Sequence, residues 1–137
     1  MTHDTFTGVF PAMTTPFDDE EEIDHETLRE HAQRLETAGV DGLVPVGTTG
    51  ESATMTHDEH IDVVETVIYA VDDVPVIAGS GSNNTREALE LSERAADAGA
   101  DGLLLISPYY NKPEPAGMER HFRAIADAVD LPQIVYN

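Results

Sequence analysis

The sequence predicts an α/β fold in which parallel strands alternate with helices. Short apolar runs rich in branched residues begin near residues 8, 42, 75, 102 and 133 of the 137-residue chain. Each run is typical of a strand that is buried on both faces. The runs begin about 30 residues apart, which is the length of one strand-helix unit. The expected element order is therefore β-α-β-α-β-α-β-α-β.

Four helices are predicted between these strands, because apolar residues recur there every three or four positions. The positions expected to face the core are Leu28, Leu35 and Ala38; Ile61, Val64, Ile68 and Val71; Ala88, Leu91, Ala95 and Ala98; and Met118, Phe122, Ile125 and Val129. Polar residues mark the helix starts: Asp24 as an N-cap, Thr56 with Glu59 as a capping box, and Asn84 with Glu87 as a similar pair. Gly39 and Gly99 follow the last turns of two helices, where a left-handed residue is favoured.

A hexapeptide occurs twice, as Ala38-Gly-Val-Asp-Gly-Leu43 and as Ala98-Gly-Ala-Asp-Gly-Leu103. The two copies begin two strand-helix units apart. The similarity is either a true repeat or the common preference of helix-to-strand turns for Gly and Asp. Both interpretations support evenly spaced parallel units.

Two architectures fit this element order: an open doubly wound sheet and a (β/α)8 TIM barrel. The sequence stops at Tyr136-Asn137, at the fifth strand, without the covering helix that a doubly wound domain normally has. We therefore expect an incomplete barrel with about five strands and four helices. Residues 1-137 would form the N-terminal portion of a single barrel domain, without its later units and C-terminal helices.

The charge balance disfavours nucleic acid and membrane partners. The chain has 27 acidic and 7 basic residues, a net charge of −20, so phosphate backbones and anionic lipid surfaces would repel it. The acidic residues are spread along the chain, which we interpret as adaptation to a high-salt cytoplasm, where salt screens their mutual repulsion. We expect the chain to lose structure in low salt. Circular dichroism that is unchanged between molar and millimolar salt would contradict this interpretation.

The sequence contains no cysteine, so it has no disulfide framework and no thiolate nucleophile. The segment Met1-Thr-His-Asp-Thr-Phe6 lacks the pattern of a signal peptide, and no apolar run approaches the ~20 residues of a membrane span. A cytoplasmic location is therefore expected.

Functional residues are expected at the carboxyl ends of the strands, where both candidate architectures place their sites. Hydroxyl groups and backbone amides dominate there, which suits a small anionic or carbonyl substrate. The segment Gly47-Thr-Thr-Gly50 would direct amides and hydroxyls towards a carboxylate or a phosphate. It is not a Walker A loop, and Gly79 to Asn84 lacks the third glycine of a dinucleotide fingerprint. Taken singly, each segment is also compatible with an ordinary strand-to-helix turn.

Three segments together resemble the dihydrodipicolinate synthase / N-acetylneuraminate lyase family. They are Gly47-Thr-Thr-Gly-Glu-Ser52, Ser107-Pro-Tyr-Tyr-Asn-Lys-Pro113 and Leu131-Pro-Gln-Ile-Val-Tyr-Asn137, in the family's order and on the expected strands. The first segment is more similar to the synthase than to sialic acid lyase, whose motif usually has Ser in place of Thr48.

The resemblance implies a lyase of the class I aldolase type, with no metal and no organic cofactor. Pyruvate would form a Schiff base with a lysine, lose a methyl proton and attack aspartate semialdehyde, a step of lysine (diaminopimelate) biosynthesis. Thr49, with the amide beside it, would bind the pyruvate carboxylate, while Thr48, Tyr110 and Tyr136 would relay protons, with Tyr136 as the principal acid and base. In the family Tyr110 completes the relay of the neighbouring subunit, and the resemblance implies a homotetramer arranged as a dimer of dimers.

The catalytic lysine of the family lies beyond Tyr136, and so does the arginine that receives the second substrate. The single lysine here, Lys112, occupies a position that is an exposed loop in the family, where nothing would desolvate it and lower its pKa. We therefore expect these 137 residues to be inactive alone.

His57 and His60 flank two acidic residues, but no third ligand stands at a workable spacing, so no metal site is expected. Some members of the family bind lysine as a feedback inhibitor, and this chain resembles their lysine site. The residues concerned are Ser52, Ala53, His57, His60, Asn83, Glu87 and Tyr109. Glu87 would pair with the ammonium group of the ligand.

Three alternatives remain open at this point. A 2-keto-3-deoxy sugar-acid aldolase of the same family would differ in its second-substrate contacts, which lie mostly beyond residue 137. A flavodoxin-like binding module is disfavoured by the missing fifth helix and by the lack of clustered acids at two strand ends. A non-catalytic half-barrel that binds small molecules would need a partner for its open strand edges.

Overall fold

The computed structural model describes residues 6–137, so the first five residues of the N-terminal segment discussed above lie outside it. Four helices are present: α1 His25–Thr37, α2 His57–Ala70, α3 Thr85–Ala98 and α4 Pro115–Ala128, with a short 3-10 helix at Ser52–Thr54. Three strands, β1 Ile77–Gly79, β2 Gly102–Ile106 and β3 Gln133–Tyr136, form a parallel sheet in the order β1-β2-β3.

The first two predicted strands are extended segments and not regular strands. Residues 11–13 run parallel to residues 43–45, with one bridge between Ala12 and Val44, and the second segment joins β1 through one bridge between Leu43 and Val76. The amide of Ile77 donates to the Leu43 carbonyl at 2.9 Å. Five parallel segments thus lie side by side in chain order, as the sequence predicts.

Proline explains why these two segments do not form full ladders. Pro11 and Pro45 have no N–H to donate, so each interrupts the hydrogen-bond pattern between neighbouring segments. Val46 then leaves the extended conformation altogether, with φ of 54°. The prediction of two regular strands at these positions was wrong for this reason.

The core lies between the parallel segments and the helices. Its largest fully buried side chains include Leu28, Leu43, Ile77, Leu103, Leu105 and Ile125. The helical spacing correctly predicts the buried faces of α2 and α3, including Ile61, Val64, Leu91 and Ala95. Ala38 was placed in the core and is exposed, because α1 ends at Thr37 and Ala38 is its C-terminal cap.

The predicted helix starts are largely confirmed. The Asp24 side chain accepts from the amide of Thr27, and Thr56 and Glu59 form a complete capping box. Hydrogen bonds from Thr56 hold the pKa of the Glu59 carboxyl below its ordinary value. Asn84 caps α3, but Glu87 accepts from Ser82 Oγ at 2.8 Å and does not complete a box.

The repeated hexapeptide has the same structural role in both copies. Asp41 Oδ2 accepts from the amide of Val9 at 2.6 Å, and Asp101 Oδ2 accepts from the amide of Val76 at 2.9 Å. In each copy the amide of the aspartate also donates to the carbonyl of the same partner at 2.9 Å. Each aspartate therefore forms a clamp of two hydrogen bonds, which joins the start of the segment after it to the start of the neighbouring parallel segment. We interpret the hexapeptide as a true structural repeat.

Glu36 joins α1 to the turn that follows α2. Its Oε1 accepts from the amides of Asp72 and Asp73 at 3.0 and 2.8 Å. Glu36→Ala leaves both amides without this acceptor, so we expect it to lower the free energy of unfolding by about 1–2 kcal/mol in urea titrations. The control is Glu30→Ala on the exposed side of the same helix, and an equal loss in both variants would contradict the assignment.

No helix within residues 6–137 is long and apolar enough to cross a lipid bilayer.

Candidate active site

The carboxyl ends of the parallel segments surround a cavity of about 220 Å³. Most of its lining surface is apolar, and hydroxyl and backbone groups add a smaller polar part. The lining residues are Val46, Gly47, Thr48, Glu51, Ser52, Ala53, Gly79, Ser80, Gly81, Leu104, Ile106, Tyr109 and Tyr136. A small substrate with polar ends would fit a cavity of this kind.

Close backbone contact shapes the wall between the second segment and β1. A Cβ atom at Gly79 would collide with the Val46 carbonyl and the Gly47 nitrogen, so only glycine allows this approach. Val46 itself is strained, because a β-branched residue rarely adopts a positive φ. Strain of this kind is typical of functional sites, where surrounding contacts hold the backbone in place.

Two hydroxyl groups from distant parts of the chain meet at the cavity. Thr48 Oγ1 lies 2.5 Å from the Tyr136 phenol oxygen, although the residues are 88 positions apart. Thr48 belongs to a turn closed by the Gly50 amide, which donates to the Gly47 carbonyl at 3.1 Å. The carbonyl of Tyr136 accepts from the amide of Ser107 at 2.8 Å, which fixes the end of β3. The pair can pass a proton along a short hydroxyl chain.

The backbone amides of Thr48 and Thr49 lie in the same turn. Neither amide hydrogen-bonds to another group within residues 6–137, so both are free to bind an anion. The side chain of Thr49 is exposed and does not line the cavity. Of the two threonines predicted to bind a carboxylate, the structure places only Thr48 in the cavity wall.

Tyr110 is not part of the cavity of its own chain. Its side chain is 96% exposed, and its backbone is left-handed, with φ of 69°. Tyr109 does line the cavity, and its amide donates to Asn83 Oδ1 at 2.5 Å. The three predicted relay hydroxyls therefore do not meet within one chain, since only Thr48 and Tyr136 are in contact.

A second cavity of about 190 Å³ adjoins the first. Six of the seven residues predicted to bind lysine line it: Ser52, Ala53, His57, His60, Glu87 and Tyr109. The seventh, Asn83, supports the wall through its bond to the Tyr109 amide. Ser52, Ala53, Gly81 and Tyr109 line both cavities, so the two sites share one wall.

The two histidines of the second cavity differ in environment. His60 is buried, and its Nε2 donates to the Gly79 carbonyl at 2.6 Å. Burial lowers the pKa of His60, which the hydrogen bond to Gly79 only partly opposes, so the ring is neutral near pH 7. His57 Nδ1 faces the Glu90 carboxylate at 3.8 Å. In the part of the chain that the structure covers, no group of three or more His, Asp or Glu side chains could hold a metal ion.

Comparison with known proteins identifies the family. The family model described as the dihydrodipicolinate synthetase family matches residues 5–137. The chain belongs to this family. It is 90% identical over all 137 residues to the 4-hydroxy-tetrahydrodipicolinate synthase of Natronomonas pharaonis, of which it covers 47%.

Solved structures of the family have the same fold. The chloride-inhibited dihydrodipicolinate synthase of Acinetobacter baumannii, complexed with pyruvate, superposes with a TM-score of 0.94 at 42% identity, over 97% of this chain and 46% of that one. The synthase of Cyanidioschyzon merolae with lysine bound gives 0.93 at 44% identity, over 96% and 46%. The predicted fold, an incomplete (β/α)8 barrel, is confirmed, and the chain spans about half the length of the relatives it matches.

Sequence reasoning assigned no specific role to several residues at this cavity. Leu104 and Ile106 form the apolar wall, and the alternation of side chains along β2 was the signal that could have placed them on one face. Glu51 lines the cavity from a left-handed position with φ of 59°. Thr15 donates its hydroxyl to the Gly50 carbonyl at 2.7 Å, and no pattern in the sequence marks this contact.

Proposed function

We propose that the protein to which this chain belongs is a 4-hydroxy-tetrahydrodipicolinate synthase. Such an enzyme condenses pyruvate with aspartate semialdehyde through a Schiff base, in lysine (diaminopimelate) biosynthesis. The observation that carries the proposal is the contact between the Thr48 and Tyr136 hydroxyls at the edge of the cavity. Relatives with the name of this synthase, one of them 90% identical, support it.

The hydroxyl pair supplies the proton transfers that the reaction needs. Imine formation releases water from the pyruvate carbonyl, enamine formation removes a methyl proton, and the aldehyde oxygen gains a proton when the new carbon–carbon bond forms. Tyr136 acts as the acid and base of these steps, and Thr48 passes its proton along the chain. The tyrosine hydroxyl is close enough to exchange a proton with Thr48 without an intervening water.

The carboxylate of pyruvate binds at the turn between Gly47 and Gly50. The free amides of Thr48 and Thr49 are donors for its oxygens, and both are part of the turn that also holds the Thr48 hydroxyl. The role assigned to Thr49 is thus carried by its amide, because its side chain lies outside the cavity wall.

Tyr110 completes the proton relay of a second subunit. Its nearly full exposure leaves the hydroxyl free to enter a neighbouring cavity. Because Tyr110 would serve another subunit, the protein would be a homo-oligomer. The family resemblance supports a tetramer built from two tight dimers. We further propose that the enzyme works in a high-salt cytoplasm, without metal or organic cofactor, as its acidic composition and its reaction suggest.

The lysine that acts as the nucleophile lies outside these 137 residues. Lys112 is exposed on the loop that follows Tyr110 and does not line the cavity. The 137 residues alone are therefore expected to form no adduct with pyruvate.

Borohydride trapping tests the proposed chemistry directly. The protein purified from its source is incubated with pyruvate, reduced with borohydride and weighed by mass spectrometry. We expect a mass near twice that of this 14.9 kDa chain and a gain corresponding to one reduced pyruvate. A protein that turns over neither substrate and gains no adduct would favour the alternative of a half-barrel that binds small molecules.

The second substrate separates the synthase from a 2-keto-3-deoxy sugar-acid aldolase. A protein that forms the adduct is assayed with aspartate semialdehyde and with glyceraldehyde as acceptors. Consumption of pyruvate with aspartate semialdehyde supports the synthase, whereas a clear preference for glyceraldehyde supports the aldolase.

The second cavity is proposed as the site of feedback inhibition by lysine. Glu87 gives it a carboxylate for an ammonium group, and the shared wall at Ser52, Ala53 and Tyr109 connects a bound ligand to the catalytic cavity. The related synthase of Cyanidioschyzon merolae binds lysine. This role rests on the geometry of the cavity and on the family resemblance.

Glu87→Gln tests this regulatory site. Removing the charge while keeping the shape should weaken lysine binding about tenfold in isothermal titration, because an ion-paired hydrogen bond becomes a neutral one. Glu93→Gln, on the exposed face of the same helix, is the matched control and should bind lysine normally. Equal affinity of the wild-type protein and Glu87→Gln for lysine would rule out the proposed ion pair.

A further inference from the structure

A buried hydroxyl anchors the turn that carries Thr48. Thr15 is only 5% exposed, and its Oγ1 donates to the carbonyl of Gly50 at 2.7 Å. Thr15 follows the first extended segment, whereas Gly50 ends the turn after the second one. The bond thus joins two neighbouring units of the barrel at the edge of the cavity.

The turn needs such an anchor because it begins at a strained residue. Val46 has φ of 54°, and a β-branched residue keeps this conformation only if its surroundings hold it there. Within the turn, the Gly47 carbonyl accepts from the amides of Gly50 and Ser52 at 3.1 and 3.4 Å. These internal bonds preserve the shape of the turn, but they do not fix its position relative to the first segment.

The turn is closely packed against the first segment at Gly50. A Cβ atom built on Gly50 would lie 3.0 Å from the Val46 backbone and 3.1 Å from the Met13 carbonyl oxygen, so the turn is already in tight contact on that side. If the Thr15 bond is removed, the Gly50 carbonyl loses its buried donor and the turn relaxes away from the first segment. The Thr48 hydroxyl would then leave its position 2.5 Å from Tyr136.

We propose that Thr15 is a positioning residue for the reaction: its hydroxyl holds the Gly47–Gly50 turn so that the Thr48 hydroxyl meets Tyr136 and the Thr48 and Thr49 amides meet the substrate carboxylate. Thr15 does not line the cavity and acts through the Gly50 carbonyl. The inference rests on the proposed function, since it assigns these groups a substrate.

Thr15→Val is the decisive variant, because valine keeps the shape of threonine and removes the hydroxyl. In the complete gene product we expect the KM for pyruvate to rise about tenfold and kcat to fall about tenfold, since both the carboxylate amides and the Thr48 hydroxyl are displaced. Thr15→Ser retains the donor and should keep both constants within about twofold of the wild-type values. A purely structural threonine would instead lower thermal stability and leave KM and kcat of the folded enzyme unchanged.

Amide hydrogen exchange provides a second readout that does not depend on turnover. In Thr15→Val the amides of Gly50 and Ser52 should exchange faster, while those of α3 keep their wild-type rates. Unchanged KM and kcat in folded Thr15→Val would overturn the inference, and so would a Thr15→Ser variant as impaired as Thr15→Val. If Thr15→Val does not fold, the test rests on Thr15→Ser. Because serine keeps the hydroxyl, a tenfold loss of kcat/KM in that variant would show that the hydroxyl is not what positions the turn. An inactive wild-type protein would instead refute the proposed function itself.

Discussion

Tyr136→Phe is expected to lower kcat/KM of the condensation by about 10²- to 10⁴-fold, the range that a positioned acid or base contributes. Phenylalanine preserves the ring and removes only the oxygen that lies 2.5 Å from Thr48 Oγ1. The loss should appear in every step that moves a proton, including formation of the Schiff base. Steady-state kinetics and the rate of borohydride trapping with pyruvate measure it.

Tyr69→Phe provides the matched control for this variant. Tyr69 is 80% exposed on α2 and does not line the cavity, so removing its hydroxyl should leave the kinetics unchanged. Thr48→Val should resemble Tyr136→Phe, because it breaks the same hydroxyl pair. A folded Tyr136→Phe enzyme with activity within about threefold of the wild type would be incompatible with the proposed relay.

Gly79→Ala is expected to destabilise the fold strongly. The added Cβ would overlap the Val46 carbonyl and the Gly47 nitrogen, which are backbone atoms and cannot rotate away. The Gly79 backbone is also fixed on both sides, since its amide donates to Pro45 and its carbonyl accepts from His60. We expect a loss of about 3 kcal/mol or more in the free energy of unfolding, measured by urea titration at molar salt.

Gly47→Ala is the matched control, because Gly47 lines the same cavity. A Cβ there would meet only Leu104 Cδ2 at 3.8 Å, which is an ordinary contact. Its cost should stay below about 1 kcal/mol. If both alanines were tolerated equally well, the second segment and β1 would not approach each other as closely as described.

Periodicity and helix-capping residues predicted the order of strands and helices because they depend on local interactions, but they left both a barrel and a doubly wound sheet possible. The apolar spacing of α2 and α3, the capping box at Thr56 and the glycine at the end of α3 each depend on a few neighbouring residues. The prediction was wrong where the backbone departs from regular geometry. The apolar run that ends at Val46 has the composition of a strand, but proline and a left-handed residue keep it from forming one.

The candidate site was predicted less completely, because its contacts are between residues distant in sequence. The motifs identified Thr48 and Tyr136 as partners, and the structure brings them together. The side chain of Thr49 was assigned to the substrate carboxylate but does not line the cavity, whereas Tyr110, assigned to the relay of a neighbouring subunit, is exposed. Thr15 was expected at the end of the first strand, but its contact was not predicted, since it depends on a carbonyl 35 positions away.

The aspartate clamps and the hydroxyl pair also imply an order of folding. Each clamp closes a loop of only 32 or 25 residues, whereas the Thr48–Tyr136 contact spans 88. Short loops cost less chain entropy to close, so the paired units can form early and successively as the chain grows. The Thr48–Tyr136 contact can form only when the fifth segment docks. Until then the nascent chain has a framework without a reactive centre, so that early folding and catalysis depend on different contacts.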